Sequence, residues 1–431
     1  MVIRGQTWRI HLAGLTALGG YSWLASQAGA LEARPALAMA MSLGWIAMAV
    51  ICWRTADSRQ ARWSVVGWAI CFRVVGLGTT PTWEDDYNRY LWDGYQLLTT
   101  GDPYARAPAD FFGQEDQLPD VISGRLDQVN HPERKTIYGP VAQLIFGVSA
   151  GLGLGSLAVF KLVLVGVEMS GWWLLRKALA WRGWVLVWWC PLTVVEIAFA
   201  GHPDAIGVAA LALALAGWQA SKTGGGASAG TVLAAATKPF GWVLAPFVVD
   251  RFGWRYGAVM AGMASACYAP FWLQGSTAEW GAILGMGQDF EYNSTGYALL
   301  AGLLPAAGAR VMAGGLTLGF AVGAWWLWRQ GQRENWPPVA GILAVAFWWS
   351  PVVNPWYALW LLPSLALRPT AWGVGLLLAV PLAYTHGWGA SGGAVVNYVH
   401  PGWTRPLEVA VVVGVTVGWW GWQNRRTHRV G

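Results

Sequence analysis

Acidic residues crowd one segment of this 431-residue chain. Residues 81–139 hold 11 of its 22 Asp and Glu residues, and three of these, Glu84, Asp85 and Asp86, are consecutive. Arg89 and Asp93 follow within ten residues. Neighbouring carboxylates raise one another's pKa, whereas an arginine or a helix N-terminus lowers it. A carboxylate of this group is therefore suited to be ionised near neutral pH and to act as a general base.

A short helix is predicted to carry the acidic group. The pattern Thr82-Trp83-Glu84-Asp85, directly after Pro81, resembles a helix capping box and predicts a helix that begins there. On such a helix Asp86, Arg89 and Asp93 share one face. One of the carboxylates could serve only as the cap, but that role does not account for all three.

Other polar and aromatic residues recur at helix ends that we assign to the same side of a membrane. Glu196 lies in an apolar run, where an ionisable group is a functional candidate by default. His202 and Asp204 could instead satisfy each other locally, and aromatic residues in such places often only anchor the protein at the membrane surface. The set comprises Trp92, Asn130, His131, Tyr138, Glu196, His202, Asp204, Asn354, Trp356 and Tyr357.

A lysine marks a break in an apolar segment. Lys238-Pro239 and Pro246 interrupt residues 231–249, which predicts a pair of short helices that re-enter the membrane from the cytosol. Lys238 at such a break is well placed to bind an anionic lipid headgroup.

The elements that position these residues are membrane helices. The chain is 55% hydrophobic and 12% charged, with 33 Trp, which excludes an ordinary water-soluble domain. Runs such as 36–53, 204–221 and 311–328 are long enough to cross a membrane. We predict an all-α polytopic protein of one domain, residues 1–431, with about eleven to thirteen membrane segments. The basic residues form no patch with interleaved aromatics, so nucleic acid is not an expected partner.

Charge sets the predicted orientation. By the positive-inside rule, 17 of the 28 Lys and Arg residues fall on ends assigned to the cytosol. Both termini are then cytosolic, and residues 81–139 form a large exoplasmic loop with short helices. Chemistry by the acidic group would take place on the outer, periplasmic face of an inner (plasma) membrane.

The order of these motifs resembles the GT-C superfamily of integral membrane glycosyltransferases. The closest likeness is to bacterial polyprenyl-phosphate-mannose-dependent mannosyltransferase-like proteins, over roughly residues 80–365. The motifs that carry it are 83–94 (WEDDYNRYLWDG), 101–104 (GDPY), 130–133 (NHPE), 136–140 (TIYGP), 201–204 (GHPD), 238–239 (KP) and 354–357 (NPWY). Asn88 and Asn354 depart from the family, which usually has Tyr and often has His there.

The resemblance implies an inverting transfer of a sugar, mannose or another hexose, from a polyprenyl-phosphate donor to a hydroxyl of a glycan or glycolipid. It implies a GT-C fold and a catalytic base at Asp86, with Asp85 as the reserve candidate. Arg89, His202 and Lys238 are expected to stabilise the leaving phosphate. Trp92, Tyr138, Trp356 and Tyr357 are expected to contact sugar, and Asp93, Asn130, His131, Glu196, Asp204 and Asn354 to complete the substrate site. Some members use a divalent cation, Mg²⁺ or Mn²⁺, and others none; no spacing here requires a metal.

Two other classes of function stay open from the sequence. A transporter or flippase of lipid-linked sugars would fit the number of spans, but transporters place ionisable groups near the bilayer midplane and many carry inverted repeats. Here the acids crowd one outer loop, and no internal repeat is visible. A sugar-binding or lipid-binding scaffold would keep the aromatic residues and would not need Asp86.

Overall fold

The protein is all-helical. The computed structural model describes residues 7–28, 34–81, 84–220, 223–283, 290–331, 336–386 and 400–427. Helices make up 77% of it, and the described residues contain no strand, as the all-α prediction requires. The chain divides into two compact units, residues 1–289 and 290–431.

The first unit is a succession of helices joined by short turns, apart from one long segment after α3. Its helices are α1 (Thr7–Ser26), α2 (Arg34–Arg54), α3 (Arg59–Leu77), α4 (Tyr87–Thr100), α5 (Asp120–Leu126), α6 (Pro140–Leu152), α7 (Leu157–Leu175), α8 (Trp181–Trp189), α9 (Pro191–Thr193), α10 (Asp204–Ala220), α11 (Gly225–Ala235), α12 (Ala245–Phe252) and α13 (Trp254–Trp272).

The second unit is also helical. Its helices are α14 (Thr295–Ala301), α15 (Ala306–Gly331), α16 (Val339–Trp349), α17 (Leu362–Leu367), α18 (Ala371–Ala379) and α19 (Thr404–Thr427). Within this unit, the backbones of Tyr292 and Val352 form an isolated parallel β-bridge.

Several helices have the length and composition to cross a membrane. Among the described residues four qualify, namely Arg34–Arg54, Leu157–Leu175, Trp181–Phe199 and Ala306–Gly331. Shorter apolar helices include Pro140–Leu152 and Asp204–Ala220. By length and composition these helices could cross a membrane, whereas the predicted number of spans and their orientation stay predictions.

A buried ion pair connects α3 to α7. The Arg73 Nε donates to Glu168 Oε2 at 2.8 Å, and both side chains are at most 1% exposed. Arg73 Nη1 also donates to the Trp188 carbonyl at 3.2 Å, and the Trp172 Nε1 donates to Glu168 Oε1 at 2.7 Å. Because each charge has a partner and further hydrogen bonds, the pair can persist in an apolar interior.

A second buried cation holds the end of α3. Lys161 on α7 is 0% exposed, and its Nζ donates to the carbonyls of Gly76 at 3.2 Å and Thr79 at 2.5 Å. The last carbonyls of a helix have no partner within the helix, so an ammonium group there satisfies them. Lys161 thus fixes the point at which the chain leaves α3 for the acidic segment.

The acidic segment 81–139 has its own small apolar core. Trp92 is 1% exposed and packs edge-on against Phe111 at a centroid distance of 5.0 Å. Ile122 and Leu126 of α5 complete the cluster. Packing against α5 therefore accounts for the position of Trp92, and its expected contact with sugar stays a prediction.

Two local predictions have different outcomes. The break at Lys238 is confirmed, because α11 ends at Ala235, a 3₁₀ turn spans Pro239–Leu244, and α12 follows. The predicted helix start at Thr82 is wrong, because α4 begins at Tyr87 with Asp86 in the preceding cap position. Thr82 and Trp83 lie outside the described residues. Glu84 and Asp85 are consequently outside the helix, in a non-helical approach to it.

Candidate functional site

Three carboxylates meet just before α4. Glu84 and Asp86 are half-buried, and Asp85 is exposed. Burial and the charges of Asp86, Glu196 and Asp85 raise the pKa of Glu84 well above its ordinary value. Burial and Asp86 also raise the pKa of Asp85, which the side chain of Asn130 partly counteracts by hydrogen bonding to it. Glu84 therefore retains a proton more readily than Asp85.

A histidine from another part of the chain reaches this acidic group. His202 is 1% exposed, and its side chain and the carboxylates of Glu84 and Asp86 offer one ligand atom each, all within 4.8 Å of one another. Its Nδ1 lies 2.9 Å from Glu196 Oε2, and its backbone N–H donates to the Glu196 carbonyl at 2.8 Å. The buried Glu196 thus orients the His202 ring.

The local fold that places His202 is unusual. Residues Val194–Phe199 form a π-helical turn, and Gly201 follows with φ 79°. Gly201 suits this left-handed position because it has no Cβ. Together the wide turn and Gly201 bring the side chains of Glu196 and His202 next to each other, whereas a regular α-helix would place them on different faces.

A buried lysine–aspartate pair lies near the same segment. Lys238 Nζ is 2.7 Å from Asp204 Oδ2, with side-chain exposures of 11% and 0%. Asp204 opens α10, and Lys238 stands in extended backbone between α11 and the 3₁₀ turn. Lys238 Nζ also lies 5.8 Å from the centre of the Tyr138 ring. The predicted alternative, in which His202 and Asp204 satisfy only each other, does not describe this arrangement.

Two tyrosines connect the lysine region with the acids. Tyr138 OH donates to Tyr90 OH at 3.3 Å, and Tyr90 OH donates to Asp86 Oδ2 at 3.5 Å. Tyr90 is 1% exposed and packs against Phe146 and Phe160. Sequence reasoning did not single out Tyr90, although its position four residues after Asp86 on α4 was a usable signal.

A glycine allows the Tyr138 and Lys238 segments to touch. Gly139 N donates to the Thr237 carbonyl at 3.2 Å, and Val141 N donates to the Ala236 carbonyl at 2.9 Å. A Cβ on Gly139 would lie 2.3 Å from the Ala236 oxygen. Only a residue without a side chain permits this approach, which therefore ties the position of Tyr138 to that of Lys238.

Arg89 and Asp93 form a buried pair on α4. Arg89 Nε donates to Asp93 Oδ1 at 2.9 Å, and Gln143 Nε2 of α6 donates to Asp93 Oδ2 at 3.1 Å. Arg89 Nη2 is buried and has no hydrogen-bond partner among the described residues. A buried donor of this kind favours an anionic or carbonyl acceptor that comes from outside the chain.

The remaining predicted site residues lie in two places. His131 is exposed, with φ 49°, and its Nδ1 is 3.5 Å from Glu133. Asn354, Trp356 and Tyr357 belong to the second unit, where Tyr357 N donates to the Asn354 carbonyl at 3.0 Å and Trp356 is 6% exposed. Their expected participation in the site with Asp86 stays a prediction.

A buried acid beside Gly139 was not anticipated from the sequence. Glu279 is 1% exposed, its Oε1 accepts from Tyr268 OH at 2.5 Å, and burial raises its pKa. Its Oε1 lies beside the Gly139 backbone, where a Cβ would come within 3.3 Å of it. The preceding Ala278 has φ 51°, a strained conformation for alanine. A single acid in a short loop offers no sequence pattern that would have revealed this placement.

Glu84, Asp86 and His202 also fit a divalent cation by donor type. Two carboxylates and an imidazole suit Mn²⁺, and the Glu196–His202 contact is the supporting arrangement common around metal-bound histidine. Mg²⁺ prefers oxygen ligands and keeps several waters, so the histidine fits it less well.

The chain matches no protein-family model, no curated protein and no solved structure.

Proposed function

We propose that the protein transfers a sugar from a polyprenyl-phosphate donor to an acceptor hydroxyl, with the first unit supplying the reacting groups. The observation that supports this proposal is that Asp86, His202 and Lys238, from three distant parts of the chain, lie in one region of the first unit. The first two are grouped directly, and Tyr90 and Tyr138 link Asp86 to the neighbourhood of Lys238.

Asp86 is the general base in this proposal. Tyr90 OH donates to its Oδ2, which helps hold the carboxylate in place and leaves Oδ1 for the substrate. The acceptor hydroxyl gives its proton to Asp86 while its oxygen forms a bond to the anomeric carbon. The bond between that carbon and the phosphate oxygen breaks, and the polyprenyl phosphate leaves with the electron pair. A single displacement of this kind inverts the configuration at the anomeric carbon.

Cationic donors stabilise the leaving phosphate. Lys238 and the unpaired Nη2 of Arg89 are the groups for this role. Asp204 holds Lys238 at 2.7 Å and so limits its freedom before substrate arrives. Preorganised charge aimed at the departing oxygens is typically a large contribution to catalysis.

A divalent cation is compatible with the same mechanism. Glu84, Asp86 and His202 would hold it, and it would supply positive charge for the phosphate. Asp86 would then keep one oxygen for the acceptor. Transfer after chelation with EDTA, and after addition of Mn²⁺ or Mg²⁺ in turn, tests whether a cation takes part.

The deciding experiment uses the full chain in liposomes with a radiolabelled polyprenyl-phosphate mannose donor and a membrane glycolipid extract as acceptor. We expect transfer by the wild type and a loss of about 10²–10⁴-fold in Asp86→Asn. Asp116→Asn is the matched control, because Asp116 is an exposed carboxylate of the same segment outside the site. Full activity in Asp86→Asn would reject Asp86 as the base, and full activity in both Asp86→Asn and Asp85→Asn would reject a base at either position. Movement of the lipid across the bilayer without a new glycosidic bond would favour a transporter.

A further inference from the structure

A cavity lined by basic residues lies beside the first residues of α3, at the other end of this helix from Arg73. It is about 570 Å³ in volume and lies where α3 begins, α7 ends and α8 begins. Its cations are Arg59, Arg62, Arg176 and Lys177, and we call it the basic cavity. None of these residues belongs to the site proposed for sugar transfer.

The basic cavity has an excess of positive charge. Asp57 is its one acidic lining residue, and it is already paired with Arg62 at 2.7 Å. Arg59 and Lys177 make no ion pair within the described part of the chain. Four cations against one carboxylate leave a formal charge of +3 in a space that is partly enclosed by side chains. Such an excess of positive charge attracts an anion.

Its walls combine charge with aromatic surface. Trp63 and Trp173 line the basic cavity and are 52% and 40% exposed, with ring centroids 5.8 Å apart. Arg176 lies 4.2 Å from the centre of the Trp173 ring. Tryptophan beside arginine at a helix end is typical of the headgroup level of a membrane, because each side chain there contacts both apolar and polar surroundings.

The backbone adds to the attraction for an anion. Ser58 caps α3 by accepting from Ala61 N at 3.1 Å, and α3 is 19 residues long. The N-terminal end of such a helix carries partial positive charge, which points toward the same end of the unit as Arg59. Because α7 and the Trp181–Phe199 segment are candidate membrane spans, this end of the unit lies where a lipid headgroup would be.

We propose that the basic cavity binds the phosphate-bearing headgroup of an anionic lipid. The cations contact the phosphate, and the exposed faces of Trp63 and Trp173 contact the glycerol and the first carbons of the acyl chains. A basic pocket between helix ends at a membrane surface is well suited to this ligand class. Acyl carbons would cover the exposed apolar faces of Trp63 and Trp173, which inorganic phosphate alone would leave in water. The site is independent of the proposed sugar transfer.

Lipid binding to the detergent-purified full chain, measured by native mass spectrometry with phosphatidylglycerol and phosphatidylcholine, tests this proposal. We expect phosphatidylglycerol to bind preferentially to the wild type. The double variant Arg59→Gln/Lys177→Gln should bind it about 25-fold more weakly, since each cation at a membrane surface contributes about a factor of five. The matched control is Arg54→Gln/Arg255→Gln, two exposed arginines outside the basic cavity that are predicted to be on the same side.

The outcomes separate a lipid site from a general charge effect. An equal loss in both double variants, or no loss in Arg59→Gln/Lys177→Gln, would overturn the proposal. Protection against thermal unfolding by inorganic phosphate equal to that by phosphatidylglycerol would also overturn it, because the site would then not require a lipid. If the double variant does not fold, the single variants Arg59→Gln and Lys177→Gln each provide the test, with an expected loss of about fivefold.

Discussion

Replacing Gly139 with alanine probes the contact that links the Tyr138 and Lys238 segments. The new Cβ would lie 2.3 Å from the Ala236 oxygen, whereas real Cβ contacts essentially never fall below 3.0 Å. The two segments must therefore separate by at least 0.7 Å. Both contacting groups are backbone, so no side-chain rotation relieves the clash. The hydrogen bond from Gly139 N to the Thr237 carbonyl, already 3.2 Å long, would lengthen or break.

The expected effects on activity and stability differ in size. A misplacement on the order of 1 Å in a catalytic site typically lowers the rate by about 100-fold, so we expect that loss in sugar transfer by Gly139→Ala. Overpacking of this kind lowers the free energy of unfolding by about 1–3 kcal/mol. The variant should therefore remain folded in detergent while losing most of its activity.

Gly151→Ala is the matched control for this experiment. Gly151 lies near the end of α6, the helix that Gly139 directly precedes, and a Cβ there would meet no atom within 4 Å. We expect unchanged transfer and a stability equal to or up to about 1 kcal/mol above that of the wild type. Transfer and thermal unfolding are measured for all three proteins. If Gly139→Ala transfers sugar as fast as the wild type, the spacing of the two segments does not control the reaction.

Three further predictions concern buried charges. Glu168→Leu leaves Arg73 buried without its anion and should lower the free energy of unfolding by about 3–5 kcal/mol, whereas Arg73→Met/Glu168→Leu should recover most of the loss; equal loss in both would refute this account of the pair. Lys161→Met removes the donor to the Thr79 carbonyl and should cost about 1–3 kcal/mol, measured by thermal unfolding. Because burial raises the pKa of Glu279 in the folded state, its contribution is fully present below the unfolded pKa near 4.5 and is lost as the pH rises through the folded pKa. Glu279→Gln should therefore flatten the fall in unfolding temperature as the pH rises above about 4.5, and an unchanged slope would contradict this.

Composition and local pattern predicted the class of fold and one local break. The apolar runs anticipated an all-helical chain, and the Lys238-Pro239 pair anticipated the gap between α11 and α12. These features depend on neighbours in the sequence, which a pattern can represent. The start of α4 was misplaced because a pattern represents only sequence neighbours. The capping-box pattern at residues 82–85 does not include the tertiary contacts of Glu84 and Asp86 with His202.

Contacts between distant segments were harder to predict. Glu279 belongs to no motif, and the motif that contains Gly139 does not indicate that Glu279 lies beside it. The polar groups named from the sequence at residues 86, 202 and 238 are nonetheless placed in the same region, because each stands next to a helix end or break. Polar groups in an apolar chain gather where backbone is also exposed, so their positions are partly constrained by topology.

The π-helical turn at Val194–Phe199 makes this part of the chain sensitive to its length. Such a turn is an α-helix that contains one residue more than regular winding can hold. Deleting one of the apolar residues 197–199 would restore regular winding and leave one residue fewer between Glu196 and His202. His202 would then lose the Glu196 contact that orients its ring, even though every polar residue of the site remained in the sequence. An insertion or deletion here is therefore expected to be more damaging than most substitutions at the same positions.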